Sequence, residues 1–411
     1  MNKHLRIFIA IIVLALSPAA CGPSQTSATE PPSSADQVAT VVASTMQALT
    51  PNSPTSPNSP TSQPPGLLPH SLYFLNNDNA GIAQVFRLET DGETLTQITF
   101  EPVAVDSYDV SLTDGSVVYA SNNQLLLISA DGSGRRVLVE GGPQDLNNPF
   151  VNAVRFPAFS PNGQTIAYGY KGLNLYAVAT GVSNRVLEDD IDDVGGGLLV
   201  PREMFWPDRY SSDGTKLLIT LGYYEGASAA IYYPAANSLV RLSNDEGAFI
   251  CCGEPEWTLD NSALFSGNPS MGMFSSGLWR VDASSGAVTT LLAGDAGNGT
   301  YNFADEPFLG PDNQLYFFYA NLPATQEFFN RVSLQLVRAA ADGVTNRTVL
   351  RPEPFQLMNE GLWSPDASFV IAAIAPSDQI YQGGALELFY TDGQKSKVSL
   401  APFGQQLKWG P

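Results

Sequence analysis

From Leu68 to the end of the chain, short runs of β-branched and aromatic residues alternate with tight turns rich in Asn, Asp and Gly. Such runs predict β-strands, and such turn residues suit hairpin positions that need a positive φ. One class of turn follows an aromatic or aliphatic residue and lies at 159–163, 210–214, 257–261, 309–313 and 363–367, with a weaker copy at 111–115. A second class, Asp-Gly or a close variant, lies at 90–92, 130–132, 179–181, 235–237, 284–286, 341–343 and 391–393. Each class recurs about every 50 residues, which with four strands per repeat is typical of β-propeller blades.

The number of turns predicts how the ring closes. The second class has seven members and the first only six, because the first repeat, from Leu72, lacks its opening strand. A matching strand ends the chain, where Leu407-Lys-Trp-Gly-Pro411 resembles Leu362-Trp-Ser-Pro365. We therefore predict an all-β, seven-bladed β-propeller over residues 67–411, with four-stranded antiparallel blades and the first blade closed by the C-terminal strand. Such closure removes exposed sheet edges.

The N-terminal residues predict export. Residues 1–20, with two early positive charges followed by an apolar run, are typical of a signal peptide. Ala19-Ala20-Cys21-Gly22 resembles a bacterial lipobox in which Cys21 is lipidated, although Pro18 stands where Leu is usual. Cleavage after Ala19 without lipidation is the alternative.

The next segment, residues 21–66, predicts a Pro/Ser/Thr-rich tether that contains a short helix over 35–49. Its Pro-rich part favours extended polyproline II and acts as a spacer. We expect it to hold the propeller away from a membrane, outside the cytoplasm.

The net charge of the chain limits the classes of binding partner that we expect. The 411-residue chain has 20 Lys and Arg against 40 Asp and Glu, a formal charge of −20. Such a surface repels phosphate backbones, so nucleic acid is not expected as a partner. Metal cations, basic proteins and neutral glycans remain open. We expect a monomer that meets the membrane through its N-terminal lipid.

The strand-turn repeat resembles a known family. Phe159-Ser-Pro-Asn-Gly163 and Trp363-Ser-Pro-Asp366, each followed by an aliphatic strand, are similar to the TolB-type propeller repeat. The same repeat occurs in the propeller of prolyl-oligopeptidase-like peptidases. The resemblance covers roughly residues 68–411 and implies the propeller fold; through TolB it also implies a role in envelope assembly.

Loop length distinguishes the two faces of the predicted ring. With strands a to d in each blade, the a–b and c–d turns are short and lie on one face, which we call the short-turn face. The longer connections are 188–206, 245–256, 294–306 and 352–360 between blades, and 222–228, 266–276 and 320–331 within blades. We call their side the long-loop face and expect binding there, because long loops on a rigid scaffold usually carry function.

Three carboxylates recur at one position of the repeat. Glu254, Glu306 and Glu360 each lie three residues before the residue that begins a short turn. Equivalent positions in a ring have similar radius and height, so these side chains could converge and hold Ca²⁺ or a cationic group. The alternative is that each carboxylate accepts hydrogen bonds from neighbouring backbone, or is solvated. Apart from Ca²⁺, no cofactor is expected.

Further acids and aromatic residues fall in the long connections. The predicted binding face also includes Asp189, Asp190, Asp192, Asp193, Trp206, Tyr223, Tyr224 and Tyr301. The alternative for the acidic run is a solvated loop, since its spacing is not that of an EF-hand. Adjacent Cys251 and Cys252 could form a strained vicinal disulfide, as in some quinone-dependent propeller dehydrogenases, or remain two packed thiols.

The small number of histidines argues against two classes of catalytic site. Once the signal peptide is removed, His70 is the only histidine, which argues against a Ser-His-Asp triad and a multi-histidine metal site. We therefore expect a non-catalytic, membrane-anchored propeller that binds a protein, peptide or glycan through its long-loop face. The alternative is a carboxylate-dependent glycosidase or lyase. A third hypothesis is a ring that is purely structural for a separate partner enzyme.

Overall fold

The computed structural model describes residues 66–243, 255–270, 275–323 and 331–411. Within these residues every regular element is a β-strand, and the strands form six hydrogen-bonded, antiparallel sheets. In the same residues there is no helix long and apolar enough to cross a membrane.

The strands follow one another along the chain as meanders. The first are β1 (Leu72–Asn77), β2 (Ala83–Leu88) and β3 (Leu95–Gln97). Two four-stranded sheets follow, made of β4 (Val105–Val110), β5 (Val117–Ser121), β6 (Gln124–Ile128) and β7 (Arg136–Glu140), then of β8 (Arg155–Phe159), β9 (Thr165–Gly169), β10 (Gly172–Ala177) and β11 (Val182–Glu188). A five-stranded sheet contains β12 (Asp190–Asp193), β13 (Leu199–Tyr210), β14 (Leu217–Tyr223), β15 (Gly226–Tyr233) and β16 (Ser238–Arg241).

Two more four-stranded sheets complete the middle of the chain. They are made of β17 (Glu256–Trp257), β18 (Ala263–Asn268), β19 (Gly277–Asp282) and β20 (Val288–Ala293), then of β21 (Thr300–Leu309), β22 (Gln314–Pro323), β23 (Leu334–Ala340) and β24 (Thr348–Phe355). The last strands are β25 (Met358–Trp363), β26 (Phe369–Ile374), β27 (Gly384–Tyr390) and β28 (Val398–Trp409).

The long strand β28 joins the two ends of the described chain. Its first half pairs with β27, with Ala401 opposite Leu386, and its second half pairs with β1, with Trp409 opposite Leu72. Within the described residues, and with β28 counted once on each side, the strands form seven groups, called blades 1 to 7 below. Six of them have four strands, and blade 4 has β12 in addition to its four. Blade 1 is the second half of β28 with β1, β2 and β3. The predicted propeller fold is confirmed, and so is the C-terminal strand's place in the first blade.

The first strand of each blade lies on the inside of the ring. These inner strands contact one another in the order β28, β4, β8 and β13, and again in the order β17, β21, β25 and β28. An ion pair of 2.7 Å between Arg209 on β13 and Glu256 on β17 joins the two series. Residues from all seven inner strands line a common cavity, so the ring surrounds a central channel.

The middle strands are buried on both faces because each blade packs between two others. In β5, Val117 and Tyr119 pack into one hydrophobic cluster with Tyr73 and Val85 of blade 1. Val118, which points the other way, packs into a second cluster with Ile166 of blade 3. This two-sided burial explains why the middle strands are continuous apolar runs rather than alternating ones.

The short turns hold their shape through local side-chain hydrogen bonds. In blade 5 the Ala263 amide donates to Thr258 Oγ1 (3.1 Å) and the Ser262 amide donates to Asp260 Oδ1 (3.0 Å). Blade 7 repeats the arrangement with Ser364 and Asp366, which accept from Phe369 and Ser368. Side chains that bond their own backbone two residues on stabilise such turns.

Two of the predicted long connections are strands rather than loops. The acidic segment expected to be a loop within 188–206 forms a hairpin, in which β12 pairs with the first part of β13. The segment 222–228 is the end of the β14–β15 hairpin, with Tyr223 opposite Gly226. Backbone pairing satisfies the amides and carbonyls of these extensions, which sequence pattern alone assigned to loops.

Candidate functional site

A cavity of about 350 Å³ opens in the central channel. It is lined by inner strands of blades 1 to 4 and 7, and among its residues are Phe156, Trp206 and Gln406. Phe156 and Trp206 lie three and four positions before the residue that begins a short turn, and Gln406 lies three positions before Trp409, the matching residue of the C-terminal strand. The cavity is therefore on the long-loop side of the channel.

Two aromatic rings in the cavity lining lie beside a cation, Arg155, that is outside it. The Phe156 and Trp206 rings are 5.9 Å apart between centroids and inclined at 51°. The Arg155 guanidinium carbon lies 5.5 Å from the centre of the Trp206 ring, within the range of a cation–π interaction. Arg155 also donates to the Phe150 carbonyl oxygen at 3.2 Å, so it is held in place.

Trp206 fits because the neighbouring strand β14 has a glycine opposite its ring. A Cβ atom at Gly222 on β14 would lie 2.5 Å from the Trp206 ring, closer than real atoms approach. Gly169 on β9 faces the same ring, where a Cβ atom would lie 3.6 Å from Trp206 Cδ1. Gly222 therefore leaves the space in which the indole lies, whereas a Cβ atom at Gly169 would make only an ordinary contact with it.

A backbone irregularity recurs on three inner strands. Phe156, Glu306 and Gln406, at the same position of their repeats, have φ values of 51°, 48° and 54°. The strand register shifts at each of these places, which marks a β-bulge. A bulge changes the direction of a side chain, and left-handed backbone is uncommon for a residue other than glycine.

Two of the three carboxylates expected to form a ring accept backbone amides of the neighbouring blade. Glu306 is 4% exposed, and its Oε1 accepts from the Gly361 amide of blade 7 at 2.9 Å. Both carboxylate oxygens of Glu360 accept backbone amides of β28, from Gln406 (2.7 Å) and from Leu407. Acceptance from neighbouring backbone is the alternative given above, and it joins consecutive blades. Glu254 lies outside the described residues, within which no group of three acids, cysteines or histidines could hold a metal ion.

The acidic run is divided between two environments. Asp190, Asp192 and Asp193 lie on β12, where Asp192 forms an ion pair of 2.5 Å with Arg202 and Asp193 accepts from the Gly195 amide at 2.9 Å. Asp189, just before β12, is partly buried, and its Oδ1 accepts from the Phe205 amide at 2.9 Å. Burial raises the pKa of Asp189 to about 6, and the Phe205 amide and the Arg155 charge oppose that rise only in part.

The predicted tyrosines are not part of the cavity wall. Tyr223 ends β14 and Tyr224 lies in the following turn, 62% exposed. Tyr301 on β21 packs against the core cluster between blades 6 and 7. Of the predicted binding residues, the cavity lining includes Trp206 and Glu360. Cys21, Cys251 and Cys252 lie outside the described residues.

Several cavity residues were not predicted as binding residues. They are Phe156, Gln406, Arg209 and Lys408. The repeat could have indicated the first two, because they occupy the position of Glu306 in other blades, but only the glutamates were selected there. Nothing local in the sequence marks Arg209 or Lys408.

Comparison with solved structures finds other propellers. An oligogalacturonate lyase in complex with manganese is 12% identical over 81% of this chain and 85% of that one, with a TM-score of 0.51. The oligogalacturonate lyase of Vibrio parahaemolyticus is 13% identical over 81% and 86%, with a TM-score of 0.50. TolB from Acinetobacter baumannii is 15% identical over 83% and 82%, with a TM-score of 0.41.

No protein-family model and no curated protein matches the sequence. At such low identities the structural likenesses show the fold and do not transfer an activity. In fold, this chain is a β-propeller similar to those of the oligogalacturonate lyases.

Proposed function

We propose that this chain is an exported, membrane-anchored propeller that binds a protein, peptide or glycan through its long-loop face and has no catalysis of its own. The observation that supports this most directly is a surface built beyond the blades on that face. The β12–β13 hairpin and the connection 141–154 contact each other there. Elaboration of this kind on a rigid scaffold is typical of binding sites.

A buried asparagine fixes the two segments to each other. Asn148, 3% exposed, accepts from the Leu199 amide at 3.0 Å and donates to the Gly197 carbonyl at 3.1 Å. Beside these contacts three apolar side chains are exposed: Leu146 (90%), Val194 (58%) and Leu198 (52%). A fixed surface with exposed apolar groups favours recognition of a partner over a mobile solvated loop.

The test compares the two faces of the ring. The double variant Leu146→Ser, Leu198→Ser should weaken partner or ligand binding, because it removes apolar contact area from the long-loop face. The matched control is Leu112→Ser, Leu259→Ser, two leucines 53% and 61% exposed in turns of the short-turn face. Binding is measured by thermal melts with defined glycans and peptides, and by crosslinking in membranes. Equal loss in both variants, or none in either, would argue against the long-loop face.

The same melts test the proposed calcium ion at Glu254, Glu306 and Glu360. A ligand at 100 times its dissociation constant adds about 2.7 kcal/mol of stability. A calcium shift that Glu306→Gln abolishes would support the site. A melting temperature unchanged by Ca²⁺ and by chelator would exclude it.

Anchoring is tested separately. If Cys21 carries lipid, Cys21→Ser should move the chain from the membrane fraction to the soluble fraction, and labelling with a radioactive fatty acid should be lost. A chain that is soluble before the substitution would favour cleavage after Ala19. Neither result changes the binding proposal.

A second candidate function has one observation in its favour. Asp189, whose raised pKa of about 6 suits proton transfer, lies close enough to Arg155 for their charges to interact. This favours the carboxylate-dependent carbohydrate enzyme as the alternative. An enzyme should release product from oligosaccharides and lose turnover but not affinity in Asp189→Asn, whereas a binder should show no turnover at all.

A further inference from the structure

The charges that line the 350 Å³ cavity are already engaged within the protein. The lining contains two acids, Asp208 and Glu360, and two cations, Arg209 and Lys408. Arg209 pairs with Asp208 at 3.4 Å and with Glu256 at 2.7 Å.

The remaining two charges are engaged as well. Lys408 pairs with Asp109 at 3.1 Å, while Glu360 accepts two backbone amides of β28. A charged ligand would lose its hydration without gaining a matched counter-charge, so this cavity favours an uncharged ligand.

The aromatic side chains present apolar surface to the cavity. Phe156 is 41% exposed although its ring contacts Trp206, because the bulge at its left-handed backbone directs it away from the core. Exposed rings of this kind provide flat surfaces of large area. The C–H groups on the face of a sugar ring pack well on such surfaces.

Neutral polar side chains complete the wall. Ser107, Thr220 and Gln406 all line the cavity. Two of them are fixed by backbone contacts: the Phe156 amide donates to Ser107 Oγ at 3.0 Å, and Gln406 Nε2 donates to the Asp106 carbonyl at 3.1 Å. Hydroxyl and amide groups both donate and accept, which matches the hydroxyl groups around a sugar ring.

We propose that the cavity between Phe156, Trp206 and Gln406 binds an uncharged saccharide, with a sugar ring against Phe156. This inference rests on the proposed binding function and names its ligand class. The combination of flat apolar surface, neutral hydrogen-bonding groups and charged side chains that are already engaged within the protein favours a neutral glycan over an acidic glycan and over a charged peptide.

The test uses the purified full-length chain in detergent and isothermal titration calorimetry. The probes are neutral hexasaccharides (cellohexaose, maltohexaose, mannohexaose and chitohexaose), hexagalacturonate as an acidic counterpart, and an uncharged hexapeptide. At least one neutral hexasaccharide should bind, and more tightly than hexagalacturonate or the peptide.

The variant that tests the site is Phe156→Asn. Asparagine tolerates left-handed backbone, so the substitution removes the ring while keeping a residue suited to the bulge. We expect affinity for the neutral hexasaccharide to fall about tenfold or more, which corresponds to the loss of one good ring contact. The control is Phe100→Asn, since Phe100 is 71% exposed in the connection between blades 1 and 2 and does not line the cavity.

Three outcomes overturn the inference. They are no binding of any neutral saccharide at millimolar concentration, tighter binding of hexagalacturonate or the peptide, and equal affinities of Phe156→Asn and the unsubstituted chain. If a partner still binds in a way that depends on Leu146 and Leu198, the proposed function survives that failure. If no ligand or membrane partner binds either, both fail.

Discussion

At the scale of single residues, two carboxyl groups show how burial and hydrogen-bond partners together determine the role of an acid. Glu306 is almost fully buried, but it accepts the Gly361 amide, and its own carbonyl accepts from Trp363 Nε1 at 2.8 Å. It therefore holds blade 6 against blade 7. Asp189 has a backbone donor too, yet burial outweighs it and raises the pKa to about 6.

The raised pKa of Asp189 predicts a dependence of stability on pH. Because the folded pKa of about 6 exceeds the ordinary value of 3.8, the folded state binds the proton more tightly than the unfolded chain does. The contribution to stability is therefore present below about pH 4 and lost as pH rises through 6. Asp189→Asn keeps an oxygen acceptor for the Phe205 amide and removes the charge, so it should raise the melting temperature at pH 7.

The measurement is a set of thermal melts between pH 3.5 and pH 8, values that bracket the two pKa values. Asp190→Asn, on the exposed part of β12, is the control and should not reproduce the effect. A gain in Asp189→Asn that is as large at pH 3.5 as at pH 7 would contradict the assignment of the charge as its cause.

At the scale of elements, β28 is the strand that closes the ring. Its first half is the outer strand of blade 7 and its second half is the inner strand of blade 1. From the same strand, Lys408 pairs with Asp109 of blade 2, and Trp409 Nε1 donates to the Trp363 carbonyl of blade 7 at 2.8 Å. One strand thus joins three blades and closes the ring.

Removal of the second half of β28 tests this role. Deletion of residues 405–411 should abolish the cooperative unfolding transition in urea, because β1 loses its partner and the buried Leu407 is removed from the core between blades 7 and 1. Deletion of the exposed Pro411 alone is the control and should leave the midpoint nearly unchanged. A truncated chain with the same transition would show that the ring does not depend on this closure.

At the scale of the whole molecule, several aspartates in the short turns share a lowered pKa. Hydrogen bonds from Thr258 Oγ1 and from Ser262 lower the pKa of Asp260 to about 2. The pKa of Asp282 is also lowered, first by the Ser284 hydroxyl. Turns at 91, 131 and 342 show the same direction. The folded chain thus holds these groups ionised more strongly than the unfolded chain does.

Acid should therefore destabilise the propeller. A lowered folded pKa gives stability that is present above the ordinary value of 3.8 and is lost as pH falls toward about 2. We expect the urea midpoint to fall across this window. Asp260→Asn should be slightly less stable than the unsubstituted chain at pH 7, and the difference should disappear as pH falls through about 2. A difference of unchanged size below pH 2 would assign the effect of Asp260 to packing and not to its charge.

The sequence by itself determined the features that depend on neighbouring residues. The repeat, its tight turns and the match between the C-terminal strand and the repeat's first strand were all readable, because a turn such as 258–262 is stabilised by its own side chains. Those local signals were enough to predict a closed propeller and the side of the ring with the candidate site.

Only the tertiary structure decided what each side chain at the channel does. Phe156, Glu306 and Gln406 share one repeat position and one backbone conformation, yet the phenylalanine is exposed beside the cavity and the glutamate is buried. The difference arises from the adjacent blade, whose contacting residues lie about 50 positions away in the chain. A hydrogen bond or ring contact between blades leaves no local pattern, which is why the sequence left the role of the acids open and did not indicate Phe156 as part of the aromatic wall.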